Sequence, residues 1–236
     1  EKSTAIPEEL TVLGGSPLRA KLFQQGHYIL QDPASMIPPH LLEPERGARV
    51  LDMCAAPGGK TTHLSQLMND TGMVAGMDIS KWRIAQIDDN VHRLGLANVH
   101  TVCGDGLTAP FGSRFDAVLL DAPCSGLGTL RRHPDIKWRV RPDEPARLAN
   151  LQRDLLRAAA QLCENGGRIV YSVCTITREE TLSVRTYAGA LPGFHFEDGP
   201  AWLNEWKIAP GTYRTLPGSG SMDGFFLMRL RKASSA

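Results

Sequence analysis

Cys124 and Cys174 each stand just past an apolar run, Val118-Leu119-Leu120-Asp121-Ala122-Pro123 in one case and Arg168-Ile169-Val170-Tyr171-Ser172-Val173 in the other. In open α/β sheets, ligands bind in the crevice outside the carboxyl ends of the strands. If the two runs are neighbouring parallel strands, both thiols face one cleft. A pair of thiols there suits covalent chemistry on an electron-poor ring. One adds to the ring, and the other helps to break the adduct. A cysteine placed for packing would fall within the apolar periodicity, not beyond it.

The elements that must carry these thiols follow from the hydrophobic pattern. Arg49 to Met53, Met73 to Asp78, Val99 to Cys103, Phe115 to Asp121 and Arg168 to Val173 read as short strands, with Gly224 to Leu230 as a final one. Helices are predicted from Lys60 to Met68, Lys81 to Leu94 and Asp143 to Glu164. The second carries Trp82, Ala85, Val91 and Leu94 near helical spacing. The third carries an apolar face of Leu148, Leu151, Leu155, Leu156, Ala159, Leu162 and Cys163. Asn165-Gly166-Gly167 is expected to end that helix as a glycine C-cap. Thr177-Arg178-Glu179-Glu180 is expected to open another with a capping box. Residues 192–220 read as irregular. Strand alternating with helix five times predicts an α/β fold with a doubly wound, mostly parallel, Rossmann-like sheet. Residues 1–45 show scattered Pro and Gly. They read as a short N-terminal lead-in, or the remnant of an N-terminal RNA-binding region, ahead of a catalytic domain over 46–236.

Bulk properties narrow the classes. The chain has 236 residues, 42% of them hydrophobic, and a formal net charge of +1. It can bury a sizeable core, but it has no global field, so a nucleic acid must be held by a local basic patch. Five cysteines with no C-x-x-C pair argue against a disulfide framework and a zinc site, and for a reducing compartment. No apolar run approaches the roughly 18 residues of a membrane span, and no secretory signal is visible. The expectation is a cytoplasmic monomer with no metal. The start at Glu1, without methionine, suggests that something upstream was removed.

Asp52 to Lys60 reads as a strand, a glycine turn and a helix opening, where a negatively charged group can sit on a helix N-terminus. It is neither a dinucleotide fingerprint nor a P-loop, because both spacings are missing. It suits a cofactor with one carboxylate and one ribose. The amides after Ala55 and Lys60 are placed to hold the carboxylate. Asp78, closing the second strand, is placed for ribose hydroxyls, and Asp105, closing the third, for an adenine amino group. S-adenosylmethionine has all of these parts.

Three segments in order carry a family resemblance: Asp52-Met53-Cys54-Ala55-Ala56-Pro57-Gly58-Gly59-Lys60-Thr61-Thr62, Asp121-Ala122-Pro123-Cys124-Ser125-Gly126 and Tyr171-Ser172-Val173-Cys174-Thr175. They resemble the RNA cytosine-5 methyltransferases of the Sun/Nol1 family. The likeness runs from Gln31-Asp32-Pro33-Ala34-Ser35 to Asp223-Gly224-Phe225-Phe226, nearly the whole chain. Arg131-Arg132-His133-Pro134-Asp135-Ile136-Lys137-Trp138 is most similar to the bacterial Sun/Fmu branch, which acts on small-subunit (16S) ribosomal RNA. The resemblance implies a Rossmann-like methyltransferase fold. It also implies S-adenosylmethionine held by Cys54, Ala55, Ala56, Pro57, Gly58, Gly59, Lys60, Asp78, Asp105 and Asp121. Two local departures stand out. The family's Thr-Cys-Ser is Val173-Cys174-Thr175 here, and its Pro-Glu-Glu-Asn is Arg178-Glu179-Glu180-Thr181.

Cytosine C5 is too poor a nucleophile to attack a methyl sulfonium directly. A thiolate adding at C6 makes C5 an enamine carbon that can. The residues alone leave open which cysteine attacks, since the Pro-Cys cysteine does so in DNA cytosine-5 methyltransferases. Resemblance to the RNA family implies Cys174 as nucleophile and Cys124 as the assistant in release. Asp121 is expected to hydrogen-bond N3 or the exocyclic amine, and Lys60 to favour the thiolate or orient Asp121. Cys54 is expected to contribute backbone only, and Cys103 and Cys163 to pack. Arg131, Arg132, Lys137, Arg139 and Arg141 form a basic segment for RNA phosphates, with Trp138 expected in the core. Transfer RNA as substrate, and a non-catalytic RNA-binding assembly factor, are the competing readings.

Overall fold

Val50 and Leu51, Val118 to Leu120 and Ile169 to Tyr171 are all fully buried. Such apolar runs are what strands covered on both faces require. The computed structural model describes residues 6–218 and 222–234. Its strands are β1 (Arg49–Asp52), β2 (Met73–Asp78), β3 (Val99–Cys103), β4 (Phe115–Asp121), β5 (Cys163–Val173), β6 (Phe194–Phe196), β7 (Lys207–Ala209), β8 (Thr212–Arg214) and β9 (Phe226–Lys232). They form one sheet in the order β3-β2-β1-β4-β5-β9-β8-β7, with β6 also paired to β9. β1 to β5 are parallel, and β9 runs antiparallel to β5. The chain winds outward in one direction from β1 to β3 and in the other from β4. This makes the β1–β4 junction the switch point where a ligand crevice opens.

The helices are α1 (Lys21–Gln24), α2 (Pro33–Leu42), α3 (Gly59–Leu67), α4 (Lys81–Leu94), α5 (Ile136–Arg139), α6 (Glu144–Leu162) and α7 (Leu182–Ala188). Alternate strand residues divide the core. Val50, Val74, Leu119 and Val170 pack with α2 and α3 through Ile37, Leu41, Leu42, Leu64 and Met68. Leu51, Ala75, Val118, Leu120 and Ile169 pack on the other face with Leu155, Leu156 and Ala159 of α6 and Val184 of α7. Residues 1–45, read as a lead-in, therefore supply a core helix, α2. Asp32 caps it by accepting from Ala34 N at 3.0 Å. No helix among the described residues is long and apolar enough to cross a membrane.

Several local expectations need correction. α6 stops at Leu162, so Cys163 opens β5 and is buried there. Asn165-Gly166-Gly167 is no helix cap. It lies within β5, where the register against β4 shifts and Gly166 takes φ +74, the mark of a glycine bulge. α7 begins only at Leu182, after the start expected over residues 177–180, and Thr181 gives it no side-chain cap because its hydroxyl donates to Thr177 O. Residues 192–218 are not irregular but hold β6, β7 and β8. The last two residues of that expected stretch lie outside the described residues. Trp82 is 72% exposed, and Ile87 is the one buried residue of α4. This helix covers the outer strands β2 and β3, where only a narrow stripe is enclosed.

Asp32 also anchors the segment after β4. Arg132 donates to the fully buried Asp223 at 2.8 Å, and Arg131 lies 3.3 Å from Asp32. Asp223 N in turn donates to Asp32 at 3.1 Å. Arg132→Ala leaves Asp223 without its main counter-charge. Breaking a buried pair costs about 3–5 kcal/mol, and the half-exposed guanidinium reduces this to about 2 kcal/mol. Thermal unfolding should show a Tm lower by roughly 4–8 °C. An unchanged Tm would remove the pair from the fold's support.

Candidate active site

Parallel pairing of β4 with β5 sets Asp121 opposite Ser172. Each strand ends close to a thiol, and the Cys124 and Cys174 sulfurs are 3.4 Å apart. Cys174 is held below the ordinary thiol range, chiefly by the hydrogen bond from Cys124, with help from the Lys60 ammonium and against burial and Asp121. Cys124 is pushed well up by that same bond, by burial and by the charges of Cys174, Glu180 and Asp121. Of the two, Cys174 is the sulfur favoured as the anion, and Cys124 the one favoured to keep its proton.

Lys60 Nζ donates to Asp121 Oδ2 at 2.7 Å, and Ser172 Oγ donates to Asp121 Oδ1. Burial opposes the Lys60 charge, but Asp121, Cys174 and Asp52 together raise its pKa. The ammonium also stands 5.4 Å from the centre of the Phe225 ring. Asp121 is thus fixed at both oxygens while remaining partly exposed.

Gly58, at φ +100, turns the chain from β1 into α3. A Cβ there would come within 3.1 Å of the Ile87 backbone, so only glycine fits. Ala55 N donates to Met77 O at 2.9 Å, and Ala56 N to Asp78 Oδ2 at 3.3 Å. The amide after Ala55 is therefore not open for a carboxylate. The N–H groups of Gly59, Lys60 and Thr61 open α3, where no earlier turn supplies acceptors. They are the place for an anion. Asp78 is buried, accepts from Ser80 N at 3.1 Å and pairs with Arg83 at 3.4 Å. Asp105 is exposed at the end of β3 and accepts from Leu107 N at 2.9 Å.

Asp52 is buried under the same turn. Its Oδ2 accepts from Thr61 Oγ1 at 2.7 Å, while its Oδ1 has no partner. Burial pushes its pKa up to about 7, with Asp121 and Asp78 adding to the rise and the Thr61 bond opposing it. A buried carboxylate oxygen without a partner needs an explanation. Beside a helix N-terminus, it suits a ligand that carries one cationic and one anionic group. S-adenosylmethionine fits this set. Cys54 lies half-buried in the turn, its pKa raised first by burial and then by Asp52, Asp121 and Asp78.

A family model described as 16S rRNA methyltransferase RsmB/F matches residues 39–231. The chain belongs to this family. It is 36% identical over 240 residues to the probable ribosomal RNA small subunit methyltransferase B of Bacillus subtilis, covering 98% of this chain and 54% of that protein. It is 38% identical over 227 residues to the human 28S rRNA (cytosine(4447)-C(5))-methyltransferase, covering 89% and 28%. The crystal structure of NSun6 from Pyrococcus horikoshii with SFG superposes with a TM-score of 0.83 at 33% identity, covering 94% and 57%. The chain spans about half the length of the bacterial relatives it matches.

The basic segment of this RsmB/F family member divides in two. Arg131 and Arg132, expected on RNA phosphates, are engaged with Asp32 and Asp223. Lys137, Arg139 and Arg141 are exposed, and the two arginines pair with the surface acids Asp135 and Asp143. Trp138 is not in the core. It is 82% exposed, with Lys137 Nζ 4.9 Å from its ring centre. Ile136 anchors this short helix, because its side chain packs against Gly126 of the Cys124 loop. Cys103 is likewise exposed, its sulfur 3.6 Å from Ile79 O. Arg83 and Gln152 escape a reading by motif, and Glu180 reads only as a helix-capping residue, since their contacts join distant segments. A further such trio joins Glu8 to His40 and His63. His63 Nδ1 is buried without a partner, whereas metal-ligating histidines pass that proton to a second group. The trio is a hydrogen-bonded tie.

Proposed function

We propose that this chain is the catalytic part of an S-adenosylmethionine-dependent RNA cytosine-5 methyltransferase that acts on small-subunit ribosomal RNA. The observation that carries the proposal is the sulfur pair, 3.4 Å apart, with Asp121 and Lys60 beside it. The first turn of α3 would hold the cofactor carboxylate, Asp52 its ammonium, and Asp78 and Asp105 its nucleoside. Bound there, the cofactor supplies the methyl group. The Cys174 thiolate adds to C6 of a cytosine, and Asp121 stabilises the ring as it accepts electrons. C5 thereby becomes the nucleophile. After transfer the C5 proton must leave and the C6–S bond must break. Cys124 is the residue next to that bond. The target base has to leave any stack to reach the thiols.

Transfer of labelled methyl to bulk RNA separates enzyme from binder, and bisulfite mapping names the base. In cells lacking the protein, one cytidine of small-subunit ribosomal RNA should lose its methyl group. Loss confined to transfer RNA would overturn the substrate assignment.

Lys137 is an exposed cation of the segment, and Trp138 is its exposed stacking surface. Lys137→Ala should weaken RNA binding and reduce the salt slope by about 1. Trp138→Ala should weaken it by roughly 1–3 kcal/mol with the slope intact. Fluorescence titrations at several salt concentrations read both. Unchanged affinity in both variants would turn this face away from RNA.

A further inference from the structure

Glu180 is fully buried between the two thiol loops. Its carboxylate accepts from Ser125 N at 2.8 Å, Thr175 Oγ1 at 3.0 Å, Thr177 Oγ1 at 2.9 Å, Gln152 Nε2 at 3.0 Å and Ser125 Oγ. Ser125 follows Cys124 and Thr175 follows Cys174, so one side chain grips the residue after each sulfur. Gln152, also fully buried, uses its second N–H on Pro123 O at 2.9 Å, just before Cys124. Tyr171 donates to the Glu180 carbonyl at 2.7 Å and fixes its backbone. Five donors around one buried side chain call for an acceptor-only group, which a carboxylate is.

We infer that Glu180 is the positioning residue of the thiol pair, holding the Cys124 and Cys174 loops in sulfur contact from beneath. Its negative charge stands on the Cys124 side, where it disfavours a second anion. The groups facing Cys124 are Cys174, Glu180, Asp121 and Tyr171. Those facing Cys174 are Cys124, Asp121, Lys60 and Arg132. Glu180 thus sets the sulfur alignment, and its charge adds to the sulfur contact and burial that favour the proton on Cys124. Its importance for methyl transfer rests on the roles given to the two cysteines above.

The test uses the whole chain without RNA or cofactor. Diamide, a thiol oxidant that is itself reduced to the hydrazine, joins the two sulfurs at a rate that reads their alignment. Iodoacetamide with mass mapping across pH reads which thiol is ionised. In Glu180→Gln, disulfide closure should slow by about tenfold or more. The preference for alkylating Cys174 over Cys124 should fall by about tenfold, the effect of one pKa unit. Thr175→Val keeps side-chain shape and the Glu180 charge while removing one donor. It should slow closure and leave the alkylation preference unchanged, so it serves even if Glu180→Gln does not fold. Wild-type closure and wild-type preference in Glu180→Gln would overturn the inference, as would wild-type closure in Thr175→Val. The thiol effects without methyl transfer in the wild-type chain would instead refute the proposed function.

Discussion

Cys174→Ala is expected to lose methyl transfer by at least about 10⁴-fold, the scale seen when a covalent nucleophile is removed. Without the C6–S bond, C5 has no enamine electrons, and no neighbouring group replaces them. Cofactor affinity should be unchanged, because the sites proposed for its carboxylate, ammonium and nucleoside, on α3, Asp52, Asp78 and Asp105, do not include Cys174. The wild-type pH profile carries the same signature. Cys174 is held below the ordinary thiol range by Cys124 and Lys60, so its thiolate persists to lower pH than that of a free thiol and is lost as pH falls. Lys60→Met removes one of those supports and should move the acidic limb of the rate profile to higher pH. A limb that does not move would separate Lys60 from the thiolate. Methylation surviving in Cys174→Ala would remove the residue from the chemistry altogether.

Gly128→Ala should cripple the site through geometry alone. Gly128 N donates to Cys174 O at 2.9 Å, and Gly224 N donates to Gly128 O at 2.9 Å. A Cβ at 128 would stand 1.9 Å from Gly224 O and 2.9 Å from Cys174 O. Those are backbone atoms, so a side chain cannot turn aside and the Cys174 loop itself must shift. Overpacking of this kind costs about 1–3 kcal/mol of stability. A displacement near 1 Å at reacting atoms costs about 10²-fold in rate. Single-turnover kinetics should show the fall in the methylation step with cofactor binding intact. Near-wild-type turnover would mean that the Cys124 and Cys174 loops tolerate separation.

Much of this site can be read in the sequence, because it rests on local pattern and one topological rule. β2, β3 and β4 have the bounds their apolar runs suggest, and their ends carry Asp78, Cys103 and Asp121 as expected. Parallel neighbours with thiols just past their ends had to bring the sulfurs to one edge. What escaped the sequence depends on contacts between remote segments. Arg132 reads as an RNA contact until Asp223, 91 positions away, appears beside it. Glu180 reads as a helix-capping residue until Ser125 and Gln152 surround it. Trp138 reads as core because tryptophan is apolar, yet α5 is one turn long and buries only toward the Cys124 loop. The Asn165–Gly167 bulge mimics a helix stop, since glycine serves left-handed backbone in both settings.

The order of bond changes is tested most directly by Cys124→Ala incubated with substrate RNA and S-adenosylmethionine, then run on a denaturing gel. Attack by Cys174 and methyl transfer need only the first thiol, while breaking the C6–S bond needs the second. A slow-migrating, ribonuclease-sensitive band should therefore accumulate in Cys124→Ala, with peptide mapping placing the RNA on Cys174, and should vanish in the double variant. The same band in Cys174→Ala, with RNA on Cys124, would contradict the assignment of the two thiols.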